Sequence, residues 1–152
     1  MALNLDQLAA RWILGLMSGS EIANAATQAL AEGYDGPGLR VVAGTVDPDL
    51  SVVNAEFERA LDELKAPRPS RKAAALLLAR DYASRILEGS LGPYEGAKKI
   101  SVDLAREIRP DDHTLDPFIY WSDEHDDAHD ADRRRYCELT IIQSARDLLM
   151  TG

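Results

Sequence analysis

The chain lacks several features that would assign it to a disulfide-stabilised, secreted or membrane-spanning class. It has one cysteine, so it cannot form an internal disulfide, and no apolar run approaches the ~20 residues that a transmembrane helix needs. The first residues also lack a basic region followed by an apolar one, the pattern of a secretory signal. These absences favour a soluble protein, with the cytoplasm as the default location.

Basic residues are scarce and unevenly distributed. The chain has 17 Lys and Arg against 26 Asp and Glu, for a net charge of −9. Residues 70–110 carry 8 basic and 5 acidic residues, whereas residues 111–152 carry 4 and 11. Binding to nucleic-acid phosphates or anionic lipids depends on a basic surface, so the charge balance disfavours both as partners. Basic proteins or metal ions fit it better.

The hydrophobic residues, 45% of the chain, recur with the period of an α-helix. The broadest such stripe lies in residues 70–88, where Ala75, Leu78, Ala79, Tyr82 and Ile86 share one face. We therefore predict a buried central helix there, with Ser70 as its N-cap and Gly89 closing it in a left-handed conformation. The fold class expected is all-α, as one compact domain over residues 1–152 with about seven or eight helices and negligible strand content.

Further stripes predict the other helices. The first spans about three turns from Leu5 to Leu16, a second follows a capping box at Ser18 and ends at Gly33, and others cover residues 51–65 and 97–108. The last helix, near residues 132–150, should pack against the central one. The prolines at 67 and 69 mark a candidate subdomain boundary near residues 66–69.

Two stretches leave alternatives open. Residues 37–44 favour a short helix that begins at Pro37, although residues 39–42 could instead be extended, and a turn is expected at residues 47–49. The first two helices could be mistaken for a DNA-reading helix-turn-helix. Residues 21–32 hold no Lys or Arg, however, and this argues against DNA binding.

One part of the chain carries a family resemblance. The order of ARDYASRILEGSLGPYEGAKKI, then LDPFIYWSDEHDD, then a final amphipathic helix resembles a set of small uncharacterised bacterial helical proteins. The similarity covers roughly residues 76–149. It implies a bacterial origin and a helical domain, and it assigns no catalytic residue.

Residues 111–132 are the most informative for function. They hold 9 acids, all 3 histidines and no Lys or Arg. On a continuous helix, His125 and His129 would lie four residues apart on one side, with Asp126 or Asp130 as oxygen ligands. The pattern thus offers a divalent metal ion a site at His125, Asp126 and His129.

The same residues also have structural explanations. Asp127 and Asp130 are placed to cap the last helix, and the other acids could be a solvated face or neutralise the arginines at 133–135. The dipeptide His125-Asp126 resembles that of HD-type metal-dependent phosphohydrolases, but that class needs a further His and a distant Asp. His113 and Asp147 fit those roles by position only.

We expect the aromatic residues Phe118, Tyr120 and Trp121 to belong mainly to the core, although an exposed Trp beside acids would suit a protein interface. Cys137 is expected to be a small buried hydrophobe. The favoured function is a non-enzymatic interaction module of the immunity or antitoxin kind, needing no cofactor, that covers a basic protein partner. The expected contacts are Trp121, Asp123, Glu124, Asp126, Asp127 and Asp130. The alternative is the metal-dependent hydrolase.

Overall fold

The fold is all-α, as predicted. The computed structural model describes residues 3–45 and 50–151, with residues 50–52 in their backbone only, and these ranges contain no β-strand. The helices are α1 (Leu5–Ile13), α2 (Gly19–Ala31), α3 (Pro37–Ala43), α4 (Leu50–Glu63), α5 (Arg71–Glu88), α6 (Pro93–Lys99), α7 (Ala105–Ile108), α8 (Asp116–Asp127) and α9 (Ala131–Met150). A π-helical turn, Ile100–Leu104, joins α6 to α7 without a break. None of the described helices has both the length and the apolar content needed to cross a bilayer.

Several helix starts follow the local rules read from the sequence. The Ser18 side chain accepts a hydrogen bond from the Glu21 amide, and the Glu21 carboxylate accepts one from the Ser18 amide, so the predicted capping box is present. The Ser18 amide is the main reason that the pKa of Glu21 lies below its ordinary value. Pro37 and Pro93 stand in the first turns of α3 and α6. Residues 39–42 are accordingly helical rather than extended.

The chain divides into two compact units, residues 1–70 and 71–152. The division falls one residue beyond the pair of prolines at 67 and 69, next to the predicted boundary. The organisation of the whole chain as one domain stays a prediction. The predicted turn at residues 47–49 lies outside the described residues.

The first unit packs α1 to α4 around a core of fully buried side chains that includes Ile22, Leu39, Val42, Phe57 and Leu61. A β-carbon on Gly38 would lie 3.1 Å from the backbone nitrogen of Ala60, so glycine permits the close approach of α3 to α4. The Gly38 amide donates to the Glu63 carboxylate across 2.8 Å. A side chain of α4 thereby supplies the acceptor that the start of α3 lacks locally.

The second unit is built on α5, which begins at Arg71 as predicted and is followed by Gly89 at a φ of +82°. Its buried residues are Ala74, Ala75, Leu78, Ala79, Ala83 and Ile86. Within this unit α5 packs against α9, the predicted partner, and against α6 and α7. The position of α5 at the centre of the whole molecule stays a prediction.

Glycine also permits close packing where α6 meets the end of α5. A β-carbon on Gly96 would lie 2.5 Å from Cδ1 and 2.7 Å from Cγ1 of Ile86, which is shorter than any ordinary contact. Two ion pairs join the start of α5 to the residues after α6: Arg71 with Glu107 at 2.8 Å, and Lys72 with Asp112 at 3.0 Å. Helix α9 packs against α5 and α6, and α8 packs against α6 and the π-helical turn.

Candidate functional site

Helix α8 carries most of the acidic histidine segment and ends before His129. It begins at Asp116 with Pro117 in its first turn, and it ends at Asp127 because Ala128 adopts an extended conformation (φ −71°, ψ 133°). The Asp130 carboxylate then accepts a hydrogen bond from the Arg133 amide at 2.7 Å and starts α9. The prediction of Asp130 as an N-cap is confirmed. The continuous helix through His129, on which the metal hypothesis depended, is not formed, because α8 ends at Asp127 and Asp130 caps a new helix that begins at Ala131.

The break separates the two histidines proposed as metal ligands. His125 lies inside α8, whereas His129 is exposed in the link between the helices. The distant candidates have other neighbours: His113 Nδ1 lies 2.7 Å from Asp116 Oδ2, and Asp147 accepts from Gln143 at 3.0 Å. In residues 3–45 and 50–151, no three His, Cys, Asp or Glu side chains are grouped to hold a metal ion.

Asp126 connects α8 to α6. Its carboxylate accepts hydrogen bonds from the Tyr94 hydroxyl and from Lys98 Nζ, the latter at 2.6 Å. Lys98, with Tyr94, lowers the pKa of Asp126, and the carboxylate in turn raises the pKa values of Tyr94 and Lys98. One of the expected partner-binding acids therefore stabilises the helix pair.

Glu124 has an internal partner as well. Its carboxylate accepts from Arg133 Nη2 at 2.9 Å, and this bond raises the pKa of Arg133. The interpretation that acids of α8 neutralise the arginines at 133–135 thus holds for this pair. Glu124, Asp126 and Asp130 thus all accept hydrogen bonds from within the protein. Of the acids expected to contact a partner, only Asp123 and Asp127 make no hydrogen bond or ion pair to another described residue.

Those two acids share the outward face of α8 with Tyr120. The three residues stand at i, i+3 and i+7, and all are exposed, with Tyr120 at 55%. We call Tyr120, Asp123 and Asp127 the α8 ridge. Phe118, at 1% exposure, belongs to the core as predicted. Tyr120 does not, because it falls on the face that the acids keep in water.

Tyr120 of the ridge also belongs to a group of three aromatic rings in contact. Trp121 meets Tyr120 edge to face at a centroid distance of 4.8 Å, and it meets Tyr136 of α9 at 5.7 Å. Tyr136 is 53% exposed and Trp121 is half-buried. We call Tyr120, Trp121 and Tyr136 the aromatic cluster. Sequence reasoning missed Tyr136, although its place next to the buried Cys137 indicates a residue at the edge of the core.

A shallow pocket of about 300 Å³ lies elsewhere between α8 and α9. It is lined by Thr114, Pro117, Phe118, Ser144, Asp147, Leu148 and Thr151. The hydroxyl groups of Ser144 and Thr151 donate to backbone carbonyl groups of α9. The polar lining is therefore largely committed to the protein itself.

No protein-family model, curated protein or solved structure matches the chain. The resemblance to small bacterial helical proteins accordingly stays a prediction. Any functional proposal has to come from the geometry of α8 and α9.

Proposed function

We propose that the protein is a non-enzymatic interaction module that binds a basic protein partner and covers its surface, as immunity proteins and antitoxins do. The observation that carries the proposal is the α8 ridge. It places a tyrosine and two carboxylates in solvent beside the aromatic cluster, on a segment with 9 acids and no Lys or Arg.

The ridge acids have a different role from the other acids of the segment. Asp123 and Asp127 are free to meet cationic side chains of a partner. Glu124 and Asp126 pair with Arg133 and Lys98, which offsets their charges, so Asp123, Asp127 and Asp130 supply most of the negative potential of this face. Such a potential speeds the encounter with a basic partner and disfavours acidic competitors.

The aromatic cluster supplies the apolar part of the interface. Tyrosine and tryptophan dominate binding energy in protein interfaces because they bury a large area at a small cost in conformational entropy. Tyr120 and Tyr136 are each more than half exposed, while their contacts with Trp121 hold them in place. A partner can thus bury them without first ordering them.

The metal-dependent hydrolase remains an alternative without a supporting arrangement. It requires His125, Asp126 and His129 to converge on one ion, and the described residues contain no group of three His, Cys, Asp or Glu side chains placed to hold one.

The test is affinity co-purification from the source organism with a charge-matched control. The ridge variant is Asp123→Lys with Asp127→Lys. The control is Glu58→Lys with Glu88→Lys, which replaces two exposed acids outside the segment. Both double variants change the net charge by the same amount. We expect a basic protein to co-purify with the wild type and the control and to be lost from the ridge variant. A partner retained by the ridge variant, or the absence of any basic partner, would contradict the proposal.

A further inference from the structure

Arg133 occupies a site with the chemistry of an arginine receptor. Its guanidinium carbon lies 5.3 Å from the ring centroid of Tyr136 and 5.8 Å from that of Trp121. Its Nη2 donates to Glu124 Oε2 at 2.9 Å. Two aromatic faces and a carboxylate are the groups that bind a planar, delocalised cation most effectively.

The guanidinium group is held at the surface. The Arg133 side chain is 42% exposed and that of Glu124 is 34% exposed. The backbone amide of Arg133, by contrast, is held by the Asp130 cap. The start of α9 therefore does not depend on the Arg133 side chain, which can leave the aromatic rings without unwinding the helix.

The surroundings favour a second cation. Asp123 and Asp127 stand on the adjacent ridge, and Tyr120 extends the aromatic surface from Trp121 into solvent. A cationic side chain that arrives here meets two exposed carboxylates that make no hydrogen bond or ion pair with another described residue, although Lys98 lies close enough to Asp123 to interact with its charge.

We infer that an arginine of the basic partner replaces Arg133 on Trp121 and Tyr136 and pairs with Glu124, so that Arg133 acts as an internal competitor for this site. The inference rests on the proposed function and identifies the partner group that the site recognises. Arginine fits better than lysine, because its planar guanidinium group can stack on an aromatic ring and donate hydrogen bonds to the carboxylate at the same time.

The experiment titrates a hexa-arginine peptide into ¹⁵N-labelled protein and follows the indole N–H resonance of Trp121. The second tryptophan, Trp12, donates its indole N–H to Asn54 at 2.7 Å in the other unit and serves as an internal reference. The variants are Arg133→Ala and Arg133→Gln, compared with Arg135→Ala. Arg135 is an exposed neighbour, so its removal changes the net charge equally without emptying the site.

We expect the Trp121 resonance to shift on titration while that of Trp12 does not. Both Arg133 variants should bind the peptide about three- to tenfold more tightly than the wild type, since an exposed ion pair and a cation–π contact no longer compete. Arg135→Ala should show a smaller gain, and hexa-lysine should bind more weakly than hexa-arginine to every form.

Equal gains for the variants at 133 and 135 would overturn the inference, because net charge alone would then explain the binding. An unshifted Trp121 resonance, or equal affinity for the lysine peptide, would overturn it too. These results leave the proposed function intact if the ridge variant still loses its partner. Retention of the partner by the ridge variant refutes the proposed function whatever the peptide does.

Discussion

The imidazole ring of His125 stacks on the phenol ring of Tyr94, with centroids 4.2 Å apart and planes inclined by 20°. The hydroxyl of the same tyrosine donates to Asp126, the next residue of α8. One residue of α6 thus holds two successive residues of α8. His125 also approaches α9, with its Nε2 3.6 Å from Glu138 Oε1. Two of the proposed metal-binding residues therefore take part in the packing of three helices.

Substitution of Tyr94 by phenylalanine should separate these two contacts. The ring keeps its stack on His125, and only the hydrogen bond to Asp126 is lost. We expect the free energy of unfolding to fall by about 0.5–1 kcal/mol, the range for a partly exposed bond to a charged group. Urea unfolding followed by circular dichroism measures it. Tyr34→Phe is the control, and an equal loss there would show that the Asp126 bond has no effect.

Glu107→Gln should reveal the pH dependence of the bond to Arg71. Arg71 donates from Nε and Nη2 to the two carboxylate oxygens at 2.9 and 2.8 Å, and these bonds lower the pKa of Glu107 from its ordinary value of 4.5. A depressed pKa in the folded state stabilises the fold above pH 4.5, and the contribution is lost as the pH falls through the folded value. The variant should be less stable by about 1 kcal/mol at pH 7, given a bidentate pair with a largely buried carboxylate.

That difference should shrink as the urea titration is repeated at successively lower pH below 4.5. Glu88→Gln, an exposed acid at the end of α5, should show no such trend. A difference between the wild type and Glu107→Gln that stays constant from pH 7 to pH 2 would contradict the assignment.

Gly96→Ala should destabilise the second unit despite the better helix propensity of alanine. The added methyl group would meet Ile86 Cδ1 at 2.5 Å, and overpacking of this kind costs about 1–3 kcal/mol, against a propensity gain of about 1 kcal/mol. The combination with Ile86→Ala removes both atoms in close contact, Cδ1 at 2.5 Å and Cγ1 at 2.7 Å. Thermal unfolding should show the double variant closer to Ile86→Ala than Gly96→Ala is to the wild type. Strict additivity of the two changes would contradict the proposed clash.

Titration calorimetry with Zn²⁺ and Mn²⁺ tests the hydrolase alternative. Because the end of α8 separates His125 from His129, we expect no stoichiometric binding that His125→Ala abolishes. The matched variant His113→Ala monitors weak binding by an exposed histidine. Tight binding that is lost in His125→Ala but kept in His113→Ala would contradict this expectation and support the metal site.

The sequence predicted the helices well because their boundaries depend on local chemistry. Ser18, Pro37, Pro93 and Asp130 each supply or spare a hydrogen bond at a helix start, and Gly89 accepts a left-handed conformation. These effects involve residues within about one helical turn of each other. They can therefore be predicted from the sequence without knowledge of the fold.

The site was less predictable because its contacts join distant residues. Lys98, Tyr94 and Arg133 decide which acids have a partner inside the protein. No spacing rule in the sequence predicts the contact between Lys98 and Asp126. The end of α8 before His129 has a local cause, since Asp130 caps the next helix. The exposure of Tyr120 follows from its place on one face with Asp123 and Asp127, although its aromatic ring favours the core.

The most direct test of the account is photo-crosslinking inside cells of the source organism. A photoreactive phenylalanine derivative replaces Tyr120 on the α8 ridge in one form and Tyr34, an exposed tyrosine of the other unit, in the control form. The account predicts a cross-link from position 120 to a basic protein and none to that protein from position 34. The same partner captured equally from both positions, or an acidic partner at position 120, would contradict it.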